Sequence, residues 1–129
     1  MRALLSDRLE RLTVDELSAA QAFAEKVQQH FKDQDIAILL FGSRARGDAL
    51  PDSDMDILVV LPTPDLKAQQ TIRHLAVEVW LKFGIYLSTR VWSEAHWQQH
   101  ASLQTSFYRN LQHDAIELLV QTIRVQEPA

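Results

Sequence analysis

Cysteine is absent from this chain, which excludes disulfides, thiolate metal sites and cysteine nucleophiles together. That absence fits a reducing compartment, and a cytoplasmic location is expected. A long hydrophobic run is also missing. The first residues, MRALLSDRLERL, carry charges throughout, and no later stretch is long enough to span a bilayer. Positive charge is in deficit: 13 Lys and Arg stand against 17 Asp and Glu, a formal net charge of -4. Without a basic field, direct nucleic-acid binding is not expected. Low-complexity tracts and internal repeats are absent too, and 129 residues suffice for one domain with a core of its own. A single domain over residues 1–129 is expected.

Glycine is scarce, with three in the chain. The first two, Gly42 and Gly47, lie in the stretch FGSRARGDALPDSDMDILVVL, from Phe41 to Leu61. IAILLFG, ending at Gly42, has the pattern of a short buried strand, and MDILVVL, from Met55, has the same pattern up to the stop at Pro62. Before them, Thr13 and Glu16 form a capping-box pattern, and Val14, Leu17, Ala20, Ala24, Val27 and Phe31 recur at helical spacing. The spacing predicts a helix from Val14 to Phe31.

A second helix is expected from Asp65 to Lys82, closed by the third glycine, Gly84. IYLSTRVW, residues 85–92, alternates as a third strand, with Ile85, Leu87, Thr89 and Val91 on one face. Ser93 is placed as the N-cap of a short helix. A last helix is expected from Thr105 to Ile123, burying Phe107, Leu111, Ala115 and Leu118. The fold class is α/β (α+β): a small mixed β-sheet flanked by helices.

The chemistry concentrates in the Phe41–Leu61 stretch. Residues i and i+2 of a strand point the same way, so Asp54 and Asp56 present two carboxylates side by side. Hard oxygen ligands without His or Cys beside them select Mg²⁺ or Mn²⁺ over Zn²⁺. GSRARG supplies a phosphate cradle: Gly42 lets the backbone approach closely, Ser43 adds a hydroxyl, and Arg44 and Arg46 can pair with phosphate oxygens. A metal clamp beside a triphosphate cradle suits phosphoryl or nucleotidyl transfer. Taken singly, Gly, Ser and Asp are ordinary turn residues; their combination at this spacing is what points to a site.

Gly42-Ser43, ten residues, then Asp54-Met55-Asp56 resembles the GS-x10-DxD signature of the DNA polymerase beta-like nucleotidyltransferase superfamily. The wider string FGSRARGDALPDSDMDILV is similar to the minimal nucleotidyltransferases, commonly paired with a HEPN-domain protein. The resemblance implies a palm-like core using Mg²⁺ and ATP. It further implies an antitoxin that transfers AMP to a tyrosine of a HEPN ribonuclease toxin and silences it. On that basis Gly42 and Ser43 hold the triphosphate with Arg44 and Arg46 assisting, and Asp54 and Asp56 hold the metal. Two other readings stay open: adenylylation of a small molecule such as an aminoglycoside, and neutralisation of the partner by binding alone.

One departure from the superfamily concerns the third strand, where many members carry another carboxylate as metal ligand and base. IYLSTRVW has none; Ser88, Thr89 and Arg90 occupy the region. A tyrosine acceptor softens that loss, because a phenol ionises near pH ~10, well below a sugar hydroxyl. Asp48 and Asp52 are near in sequence but are equally explained as soluble loop residues. His96 and His100, four apart, lack a third ligand and read as a helix surface. Trp80, Trp92 and Trp97 read as core or interface before base-stacking platforms, and Tyr86 and Tyr108 as packing residues before modification sites.

Overall fold

The structure, a computed structural model, describes residues 10–47 and 54–122, with the backbone alone described at Ser43 and Arg44. The elements run α1 (Val14–His30), β1 (Ile36–Phe41), α2 (Ser43–Arg46), β2 (Met55–Leu61), α3 (Leu66–Phe83), β3 (Leu87–Ser93), α4 (Glu94–Leu103), α5 (Ser106–Asp114) and β4 (Ile116–Gln121). The four strands form one mixed sheet in the order β3-β2-β1-β4. β2 and β3 are parallel, and the other two pairs are antiparallel. The α+β class expected from the sequence is the one observed. Among the described residues no helix is long and apolar enough to cross a membrane.

Local signals explain the helix boundaries. The Thr13 hydroxyl accepts from the Glu16 N–H at 3.1 Å, and the Glu16 carboxylate accepts from the Thr13 N–H at 2.8 Å, completing the capping box at α1. α3 is capped by Asp65, whose carboxylate accepts from the Ala68 N–H at 2.7 Å. It ends where Gly84 adopts φ +72° and donates to the Trp80 carbonyl at 2.8 Å.

Both faces of the central strands are covered, which explains their unbroken apolar runs. Ile38, Leu40, Ile57, Val59 and Leu61 face the main core, where Phe23 and Val27 of α1 and Ile72, Leu75 and Val79 of α3 pack against them. On the other face Leu39, Leu58 and Val60 join a smaller core with Leu111 and Ala115, rimmed by Phe41, Trp92, Trp97 and Phe107. Ile38 is fully buried. Ile38→Ala is expected to cost about 2–5 kcal/mol of stability, which a urea titration would read as a lower midpoint at unchanged slope.

The chain end corrects the sequence reading. The last helix stops at Asp114 instead of continuing to Ile123, because Ala115 turns extended at φ -66°, ψ 148°. Ile116–Gln121 then pairs antiparallel with β1, from Leu40↔Ile116 to Ile36↔Gln121. This pairing satisfies an edge that the apolar β1 would otherwise leave open. A register shift at Ile38/Leu39 leaves Leu118 unpaired between Glu117 and Leu119. The bulge lets Leu118 and Leu119 both pack against the main core.

Candidate active site

The antiparallel register of β1 and β2 sets Phe41 opposite Asp56. The residues just after β1 and those opening β2 therefore meet at one end of the sheet, although ten residues separate Gly42-Ser43 from Asp54 in sequence. Gly42 has φ +78°, and a Cβ built on it would lie 2.5 Å from Oδ2 of Asp56. Any side chain here would have to displace that carboxylate oxygen, and the positive φ itself favours glycine.

α2 begins immediately after this contact. Its single turn is closed by the Arg46 N–H donating to the Gly42 carbonyl at 3.1 Å. Ala45 is fully buried in the main core, and Arg11 donates from Nη1 to the Ala45 carbonyl at 2.9 Å. Arg11 is thus a tether on the turn, one the sequence reading did not single out.

Asp54 is exposed and Asp56 half-buried. Burial pushes the Asp56 carboxyl above the ordinary carboxylate range; Arg90 opposes that rise, Asp54 adds to it, and Arg46 opposes it. Gly42, Arg46, Asp54 and Asp56 therefore share one locality. Ser43 and Arg44 sit in α2 by their backbone, while Asp48 and Asp52 lie outside the described residues.

Arg90 was noticed in the sequence as standing where a carboxylate might be, but was given no role. The parallel pairing of β2 with β3 aligns Asp56 with Ser88 and Leu58 with Arg90. The Arg90 guanidinium carbon lies 5.7 Å from the ring centres of both Phe41 and Phe107. Alternation on β3 places Ser88 and Arg90 on one face, but only the strand order brings that face beside Asp56.

The donor set suits a hard divalent cation. Two carboxylates lie together, and Asp56 is held in surroundings that disfavour its charge until a positive charge offsets it. Among the described residues no cluster of three or more His, Cys, Asp or Glu could hold a metal. β3 contributes no acid, in keeping with its sequence LSTRVWS.

A pH prediction follows. A carboxyl whose folded-state pKa is raised destabilises the native state above that pKa, and the cost fades as pH falls toward the unfolded value near ~3.9. Asp56→Asn in metal-free protein is therefore expected to melt at or above the wild-type temperature at pH 7, with the difference shrinking toward pH 4. Calorimetric scans across that range would check it.

The remaining candidates make packing contacts. His100 stacks on Trp92 at 4.4 Å between ring centres and 24° between planes, and its Nδ1 is 2.7 Å from the Thr105 hydroxyl. His96 meets Trp92 edge-on. Trp92 and Trp97 pack against the smaller core, whereas Trp80 is half exposed against Tyr86. Tyr108 packs on Trp97, and its hydroxyl accepts from Gln112 at 2.7 Å. A groove of about 690 Å³, lined by Leu39, Val60, Trp97, Leu111 and Val120 among others, includes neither Asp54 nor Asp56.

Known proteins match this sequence. The nucleotidyltransferase domain family matches residues 20–113, from within α1 to within α5. Two Methanocaldococcus jannaschii proteins align over most of both partners. "Putative protein adenylyltransferase MJ0604" is 32% identical over 98 residues, 76% of this chain and 92% of its own. "Putative protein adenylyltransferase MJ0141" is 30% identical over 97 residues, 74% of this chain and 91% of its own. A third from the same organism, "Putative protein adenylyltransferase MJ1305", is 39% identical over 69 residues, 51% of this chain and 47% of its own, so the match spans about half of that relative. The matched span contains Gly42, Ser43, both site aspartates and Arg90, and the chain belongs to the nucleotidyltransferase domain family.

Proposed function

We propose that this nucleotidyltransferase moves AMP from ATP to a tyrosine hydroxyl of a partner protein, and that the partner is a HEPN ribonuclease toxin which the modification silences. The observation that carries the reading is the contact between Gly42 and Asp56, with Asp54 alongside. It joins a backbone turn open to phosphates to a pair of carboxylates suited to Mg²⁺. The names of the two relatives aligned over most of their length support adenylyl transfer to protein, and the resemblance of the GS-x10-DxD string to the minimal nucleotidyltransferases supports the toxin partner.

In this mechanism Gly42 and Ser43 hold the triphosphate, and Arg44 and Arg46 offset its charge. Asp54 and Asp56 would hold magnesium, which when bound neutralises charge on the phosphates. The tyrosine oxygen attacks the α-phosphorus, the bond to the β-phosphate oxygen breaks, and pyrophosphate leaves while the phenolic proton passes to solvent. A phenol can follow this course without a dedicated carboxylate base.

The test uses ATP labelled at the α- or the γ-phosphate, with Mg²⁺ and the protein encoded in the adjacent reading frame. Label entering that protein from the α position alone, and recovered as AMP-tyrosine, is the expected result. Label appearing on added aminoglycoside instead would establish the small-molecule reading. A stable complex with no transfer would establish neutralisation by association, a reading the lack of a third acidic residue among the described residues favours.

A further inference from the structure

The site so far accounts for the phosphates and the metal but leaves the attacking oxygen without a partner. Strand order leaves the β3 side open to that oxygen. β2, carrying Asp56, lies between β1 and β3, and the Gly42–Arg46 turn follows β1. In-line displacement places the attacking and leaving oxygens on opposite sides of the phosphorus. With pyrophosphate leaving over the β1 side, the acceptor approaches over β3. There Ser88 is in register with Asp56, and Arg90 follows on the same face.

We propose that Arg90 is the acceptor-side residue, its guanidinium receiving the phenolic oxygen of the incoming tyrosine and stabilising it as phenolate. This rests on the reading of the site as a protein-tyrosine adenylyltransferase. Three observations carry it. The Arg90 guanidinium carbon lies over both Phe41 and Phe107, 5.7 Å from each ring centre, and those rings meet edge-to-face at 5.4 Å. The stacking restricts the side chain before any acceptor arrives, which reduces what remains to be ordered at binding. β3 offers no carboxylate to accept a proton, so the acceptor oxygen is better served by a fixed cation that favours its ionised form.

The chemistry balances without a protein base. The phenol releases its proton to water, the phenolate oxygen bonds to the α-phosphorus, and the bond to pyrophosphate breaks. Arginine itself neither gives nor takes a proton. Among the described residues, Asp56 interacts electrostatically with Arg90 and in turn with Asp54 and Arg46 of α2, and His96 and His100 of α4 pack on Trp92, two residues along β3. A pH series from 7.5 upward stays clear of the range in which imidazoles usually titrate.

The test compares wild type, Arg90→Ala and Arg90→Lys, using ATP, Mg²⁺ and the adjacent-frame protein made with either tyrosine or 3,5-difluorotyrosine, whose phenol ionises at lower pH. ATP affinity is measured separately by calorimetry. The alanine variant is expected to bind ATP within about two-fold of wild type and to transfer AMP to the tyrosine protein about 10²-fold more slowly at pH 7.5. Its defect should shrink on the difluoro acceptor and as pH rises, and lysine should restore part of the rate. Equal defects on both acceptors at every pH would overturn the proposal, as would a loss of ATP affinity matching the loss of rate, which would place Arg90 on the phosphates. Unchanged transfer by the alanine variant would overturn it as well. If wild type binds ATP yet modifies neither acceptor, the protein-tyrosine reading itself fails and takes this proposal with it.

Discussion

Asparagine at both Asp54 and Asp56 is expected to yield a folded protein that has lost nucleotide transfer by three orders of magnitude or more. A carboxamide keeps the shape of the side chain but lacks the charge a divalent cation requires. Folding should survive because Asp54 is exposed and Asp56 sits where burial already disfavours its charge. The two effects therefore point in opposite directions: activity disappears while metal-free stability holds or rises. A pair of carboxylates kept together against their mutual repulsion is a local cost that binding can repay. Magnesium with ATP should raise the melting temperature of wild type by mass action and leave that of the double variant unmoved. Transfer by the well-folded double variant would contradict the site assignment.

Gly42→Ala should be nearly as damaging, for steric reasons. At φ +78° an alanine is strained by roughly 1–2 kcal/mol. Its methyl would also meet Oδ2 of Asp56 at 2.5 Å, so the carboxylate or the turn has to move. Displacement of about 1 Å in such a site can cost 10²-fold in rate, and a loss of at least that size in transfer is expected. Gly84→Ala is the control. Its φ is similar at +72°, but nothing lies within 4 Å of the added methyl. That variant should lose about 1 kcal/mol of stability at the end of α3 and keep wild-type transfer. Equal activity losses at the two glycines would show that backbone strain, and not contact with Asp56, governs the first.

The contrast between the glycines also shows what sequence alone can carry. Gly42 was legible as a position of close backbone approach, and its spacing to Asp54 and Asp56 as a resemblance to a known signature. That Asp56 itself fills the space a side chain would need depends on the β1–β2 register. The first two strands were readable because continuous apolar runs between punctuating residues leave little choice of element. The segment after Thr105 offered a choice: Phe107, Leu111, Ala115 and Leu118 fit a helical period, while the apolar Ile116–Gln121 stretch serves equally well as a strand. The open edge of β1 decided between them, and that edge lies far away in the chain. Arg90 escaped for the same reason, since its neighbours Phe41, Asp56 and Phe107 come from three other elements.

The central claim, that Asp54 and Asp56 beside Gly42 direct AMP onto a protein tyrosine, is tested most directly by intact mass spectrometry of the adjacent-frame protein after incubation with this enzyme, ATP and Mg²⁺. The account predicts a mass increase of whole AMP units with wild type and none with the Asp54→Asn, Asp56→Asn protein. An unmodified partner under wild-type treatment, or the same increase with the double variant, would contradict it.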